Sequence, residues 1–207
     1  WTERDSNGQL SDARRLLQAA HIFREIEGPR SRRAIDCYRR AAEILEWLAR
    51  AADDSRSQVP IELLAAGAYQ LGGLPAMAAG LMAQIPAEHE GVALYGAFLR
   101  ADFDGVLRRA ANYWSANPDL TVPAAGRLLA AVEDREDIER VGRYFTVELI
   151  RSLGLIADSL RRGDDARLAR AMDKLQALEG MAMRILSDDA SLIISLLYQV
   201  AESYAKA

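Results

Sequence analysis

Tyr69-Gln70-Leu71-Gly72-Gly73-Leu74-Pro75-Ala76-Met77-Ala78 is the stretch on which the fold turns. A helical run of small and apolar residues stops at two glycines, and a proline restarts it. Glycine closes helices because it tolerates the left-handed backbone there, and proline suits a first helical turn. Two further stretches share the pattern: Phe98-Leu99-Arg100-Ala101-Asp102-Phe103-Asp104-Gly105-Val106-Leu107, and Leu160-Arg161-Arg162-Gly163-Asp164-Asp165-Ala166-Arg167-Leu168. Each ends a helix in a small residue, turns tightly and starts another. The turn residues Gly72, Ala101 and Gly163 stand 29 and 62 positions apart, and Asp134-Arg135-Glu136 falls close to the turn missing between them. A step near 30 is about one helical hairpin, the unit of stacked-hairpin solenoids.

Outward from these turns, almost every segment carries helical periodicity. Ser11 is read as an N-cap, followed by Leu16, Leu17, Ala20, Phe23 and Ile26 on one face, with Gly28-Pro29 as the stop. Ile35, Tyr38, Ala42, Leu45 and Leu48 stripe a second helix from about Ser31 to Ala52. Asp53-Asp54-Ser55 opens a polar break reaching Val59, and Pro60 is placed in the first turn of a third helix. Further helices are expected over 75–85, 89–100, 103–116, 123–133, 137–162, 164–187 and 189–204. The expectation is an all-α chain of about ten helices, built as stacked antiparallel hairpins in a solenoid or irregular bundle. Residues 1–10 are assigned to a disordered or tag-proximal segment. Residues 11–207 are taken as a single domain with a sub-boundary considered near 53–60.

Composition narrows the function. Half of the 207 residues are hydrophobic, enough for a full core and too many for a disordered chain. A net charge of −4 argues against general nucleic-acid binding, which needs a strong basic excess. The single Cys37 excludes a disulfide framework, and its neighbours Asp36 and Tyr38 supply no base for a nucleophile. No stretch approaches the ~20 apolar residues of a membrane span. The chain opens on Trp1 without Met or signal peptide, and reads as a cytoplasmic fragment of something larger.

Residues that carry chemistry are sparse. His21 stands one helical turn before Glu25, which suits a surface contact, and His89 lies between Glu88 and Glu90, which suits a solvated helix start better than a chelate. Asp53-Asp54, Asp164-Asp165 and Asp188-Asp189 sit at helix edges, where carboxylates cap N–H groups. No phosphate-cradling glycine loop and no nucleophile elbow is present. No catalytic residue, metal or cofactor is therefore assigned. Between positions 24 and 40, six arginines face three carboxylates. Arg30, Arg32, Arg33, Arg39 and Arg40 are the candidate contacts for a partner or, weakly, a nucleic acid. Tyr113 and Trp114, beside Arg108 and Arg109, read as core anchors rather than a base-stacking platform. The last helix is apolar nearly all round. Leu192, Ile193, Leu196, Leu197 and Tyr198 are assigned to contact with a missing partner domain.

The first turn resembles the tetratricopeptide hairpin: Tyr69 and Gly72 fit its pattern, whereas Met77 stands where that family prefers Ala. More broadly, Ala65-Ala66-Gly67-Ala68-Tyr69-Gln70-Leu71-Gly72-Gly73-Leu74-Pro75-Ala76, Phe98-Leu99-Arg100-Ala101-Asp102-Phe103-Asp104 and Ser191-Leu192-Ile193-Ile194-Ser195-Leu196-Leu197-Tyr198 resemble the helical N-terminal region of large bacterial DEAD/DEAH-box helicases. That resemblance would cover about residues 10–207. It implies a non-catalytic accessory domain that precedes the motor domains and docks a partner subunit or regulates the motor. Some helicases of this kind serve antiphage defence. None of the family's ATP-binding or strand-separating motifs is in this chain, so none of those roles passes to a residue here. Two alternatives are a free-standing protein–protein scaffold of the tetratricopeptide type and a weak nucleic-acid-binding module using Arg24–Arg40.

Overall fold

The computed structural model describes residues 3–52, 55–85, 90–117, 135–185 and 189–205. Among them are nine α-helices and no strand: α1 (Glu3–Glu27), α2 (Arg32–Ala51), α3 (Ser55–Leu71), α4 (Pro75–Gln84), α5 (Glu90–Leu99), α6 (Phe103–Ala116), α7 (Arg135–Arg162), α8 (Asp165–Ile185) and α9 (Asp189–Ala205). The all-helical architecture of stacked hairpins is therefore observed. The helix expected over 123–133 lies outside the described residues, as do Asp53, Asp54, His89, Asp134 and Asp188. The chain divides into two compact units, Trp1–Pro86 with Leu192–Ser203, and Ala87–Ser191 with Tyr204–Ala207. The first unit takes in a segment from the far end of the chain.

In the first unit, each of α1 to α4 packs on its neighbour in sequence. Ser31 caps α2: its hydroxyl accepts from the Ala34 N–H at 3.1 Å and donates to Glu27 Oε2 at 2.6 Å, which also fastens the end of α1. Leu17 and Ala20 of α1, Tyr38, Ala42, Leu45 and Leu48 of α2, Ala65, Ala68 and Tyr69 of α3, and Ala78 and Leu81 of α4 are buried. Gly72 brings the end of α3 against α2. A Cβ there would lie 2.9 Å from Arg39 Cγ and 3.4 Å from the Arg39 backbone nitrogen, so a side chain at this position would force the Arg39 stem to shift.

Three expectations for this unit change. α1 starts at Glu3, so Ser11 lies inside the helix rather than at its cap. No proline stands between positions 3 and 11 to stop the helix, and Gly8 is tolerated within it. α3 starts at Ser55, which leaves Pro60 beyond the first turn. There its missing N–H removes only one backbone bond near an end that already has unpaired donors. Finally, the buried stripe of α1 runs Ala13, Leu17, Ala20, Arg24, which turns Ile26 outward at 77 % exposure.

In the second unit, α5 packs on α6 and α7, α6 on α7, and α7 on α8. Leu94, Tyr95 and Phe98 of α5, Phe103 and Val106 of α6, Ile150, Leu153 and Ile156 of α7, and Leu175 and Leu178 of α8 form its interior. Tyr204 is edge-on to Phe98 and Phe103, with centroids 5.9 and 5.8 Å away, and its hydroxyl donates to the Leu99 carbonyl at 2.7 Å.

The three look-alike turns share one geometry. The left-handed residues are Gly73 (φ 72°), Ala101 (φ 56°) and Gly163 (φ 68°). After each, a backbone N–H reaches back five residues: Leu74 to the Tyr69 carbonyl (2.9 Å), Asp102 to Ala97 (2.9 Å) and Asp164 to Ser159 (3.0 Å). This bond satisfies a carbonyl that the helix end leaves orphaned. At the first turn the left-handed residue is Gly73, one position after the Gly72 that the sequence pattern aligns with Ala101 and Gly163.

Candidate functional site

The arginine-rich segment spans the end of α1, the turn and half of α2. The five arginines from Arg30 to Arg40 divide into two groups. Arg39 donates from Nε to the Gly72 carbonyl at 2.7 Å, closing the C-terminus of α3. Arg33 pairs with Glu27 at 3.1 Å, and its guanidinium lies 4.1 Å from the centre of the Phe23 ring. The bond from Ser31, then the bond and charge of Arg33, hold the Glu27 carboxyl below its usual value despite some desolvation. Arg30, Arg32 and Arg40 are exposed and make no ion pair among the described residues. Asp36 is also exposed, one helical step of four from both Arg32 and Arg40, so it breaks the basic stripe. Nucleic-acid phosphate would meet an interrupted row of cations on this edge.

Arg24, the first arginine of the segment, belongs to a different structure. It takes the next core step of α1 after Ala20 and is 7 % exposed. A buried guanidinium needs acceptors. One Nη donates to the Gln199 carbonyl on α9 at 3.3 Å and lies 3.7 Å from Glu202. On the side-chain end of Gln199, the Tyr38 hydroxyl donates to Oε1, and Nε2 meets His21 Nδ1. The cluster ties α1, α2 and the Leu192–Ser203 segment together inside the first unit. Burial, partly offset by the Arg24 charge, pushes the Tyr38 phenol up to about 12, so it remains a donor at neutral pH. Burial, then the nearby Glu202, likewise raises the Tyr198 phenol. The contact of His21 is thus the Gln199 amide, where a surface contact with Glu25 is expected from sequence. Periodicity could have revealed Arg24, because 13, 17, 20 and 24 step by four, three and four. The sequence marks Gln199 only as a polar residue on an otherwise apolar stretch.

The second unit holds two buried carboxylates on α7. Asp158 (1 % exposed) accepts from Arg161 at 3.0 Å, Arg162 at 2.9 Å and Arg167 of α8 at 3.0 Å. Burial alone would raise its carboxyl; the bonds from Arg162 and Arg161 and the charges of Arg162 and Arg167 outweigh that and hold it below the usual carboxylate value. Glu148 pairs with Arg151 at 3.1 Å and with Lys174 of α8. Both carboxylates clamp α8 to α7. Arg161 also lies 5.3 Å over the Phe103 ring.

Of the last helix's predicted contact residues, Leu196 and Leu197 are buried within the chain and Tyr198 is half-buried; the side chains of Leu192 and Ile193 lie outside those described. Tyr113 is buried, edge-on to Trp114 at 5.0 Å, in keeping with an anchoring role. Cys37 is half-buried and its thiol is raised, chiefly by desolvation, which disfavours the reactive thiolate. Among the described residues no group of three or more His, Cys, Asp or Glu side chains is arranged to hold a metal ion, and no helix is long and apolar enough to cross a membrane. No family model, curated protein or solved structure matches the chain.

Proposed function

We propose that this chain is a non-catalytic helical accessory domain that docks a protein partner. The sequence resemblance nominates the motor portion of a DEAD/DEAH-box helicase as that partner. One observation carries the reading: the division of labour among the charged side chains. Arg24, Glu148 and Asp158 are buried and tied to opposite charges or carbonyls on adjacent helices, Glu148 through Lys174. Arg30, Arg32 and Arg40 instead face solvent along one hairpin edge. Interior charges of the first kind hold helices in register. Cations on a rigid edge steer and orient an acidic protein surface. Stacked hairpins suit this work because each unit is fixed by its neighbours and presents a continuous outer surface.

The test is a binding titration of the chain against a helicase motor portion encoded in the same gene, near physiological salt. Binding that weakens at least about ten-fold in Arg30→Glu/Arg32→Glu/Arg40→Glu is expected. A gene without a motor domain, or no measurable contact in cis or in trans, overturns the proposal. A shift with single-stranded DNA that these substitutions abolish would replace it with the nucleic-acid reading.

A further inference from the structure

We propose that the outer face of α1 pairs with the same face of a second copy of this chain, the two helices running antiparallel. The buried side of α1 is Ala13, Leu17, Ala20 and Arg24. Steps of about 100° per residue put Arg15, Ala19, Ile22 and Ile26 on the opposite side. Ile22 and Ile26 are 53 % and 77 % exposed, the two most exposed large hydrophobic side chains among the described residues. They lie one helical turn apart, with the small Ala19 just before them, which allows a second helix to approach closely.

Charge selects the occupant and its direction. The exposed surface of α1 carries Arg15 at its midpoint and Glu25 near its end, Glu25 on the flank of this face about a quarter-turn round from Ile22 and Ile26. Among the described residues Arg15 pairs with Asp12 at 3.6 Å, with side chains 77 % and 62 % exposed, so it can exchange partners at little cost. A second copy laid antiparallel about the middle of Ala19–Ile22 places Ile22 against Ala19 of its mate, lays Ile26 along the Arg15 stem, and brings each Arg15 near the opposite Glu25. A parallel pair would set Arg15 against Arg15 and Glu25 against Glu25. The antiparallel arrangement is isologous, so it closes as a dimer and does not propagate. One helix edge supplies less than the ~800 Å² per partner of a standard interface, so the dimer forms in the micromolar range or above. This inference does not depend on the proposed docking to a motor domain.

Sedimentation velocity of the whole chain over about 1 to 500 µM tests it. The expected result is a shift from monomer to dimer with rising concentration. Ile26→Asp should raise the dissociation constant at least about ten-fold. Arg15→Glu and Glu25→Arg should each weaken the dimer, and the double variant Arg15→Glu/Glu25→Arg should restore it. All three positions are exposed, so none of the substitutions opens the core, and circular dichroism confirms the fold of each variant. A monomer throughout the range overturns the proposal. So does a dimer indifferent to Ile26→Asp, or one that the double variant fails to restore. A monomer whose Ile26→Asp variant loses binding to a helicase motor portion would assign the face to that partner instead.

Discussion

Ala101 is the non-glycine residue with a left-handed backbone among the described residues, at φ 56°. A side chain in that conformation costs about 1 kcal/mol. Ala101→Gly should therefore raise stability by up to about 1 kcal/mol, less the extra freedom glycine gives the unfolded chain. Chemical denaturation checks this as a higher midpoint with an unchanged slope. The next residue works in the other direction. Asp102 accepts from the Gly105 N–H at 2.9 Å and caps α6, and a Cβ on Gly105 would fall 2.0 Å from the Asp102 carboxylate. Gly105→Ala and Asp102→Ala should each cost about 1 kcal/mol by losing the same cap, and the double variant should cost little more than either alone. These local features were legible in the sequence, because a cap and a turn depend on residues only a few positions apart. The outward turn of Ile26 was harder to see. An apolar residue at a helical step looks like core until Arg24 is recognised as the residue that occupies the inner position.

At the scale of elements, α7 and α8 are held together by buried charge as well as by Leu153, Ile156 and Leu175. Asp158→Asn keeps the shape and removes the charge that three arginines share. Because Arg161 and Arg162 remain half in water, the loss at neutral pH should be about 1–3 kcal/mol, below the 3–5 kcal/mol of a fully buried broken pair. The folded-state carboxyl is held below its ordinary value of ~4, so its contribution is present above that pH and is lost as pH falls through the folded value. Denaturation at pH 7 and pH 3 should show the gap between wild type and Asp158→Asn narrowing in acid. A gap of equal size at both pH values would contradict the assignment. The helices themselves could be read from periodicity and breakers, as at Pro75 and at Gly163-Asp164. Which charges are buried could not, since that depends on how α7 and α8 face each other. The candidate arginine site was half legible for the same reason. The cluster of cations is a sequence property, whereas the commitment of Arg39 to the Gly72 carbonyl joins residues 33 positions apart.

At the scale of the molecule, the N-terminal hairpins recruit a segment from the far end of the chain. The Tyr38 hydroxyl and Gln199 are 161 positions apart, and Arg24 and Gln199 are 175 apart. No local pattern announces such a pairing; an apolar last helix with one glutamine was its only trace. Val200 lies beside that glutamine with no exposed surface, within the segment that groups with the first unit. Hydrogen exchange of the full-length Val200→Asp variant tests this closure most directly. A charge at that position should drive the Leu192–Ser203 segment out, and amides of α1 and α2 around Ala20–Arg24 and Ala34–Ala42 should exchange at least about ten-fold faster while α7 and α8 keep their protection. Unchanged protection in α1 and α2, or an equal loss throughout the chain, would contradict the account.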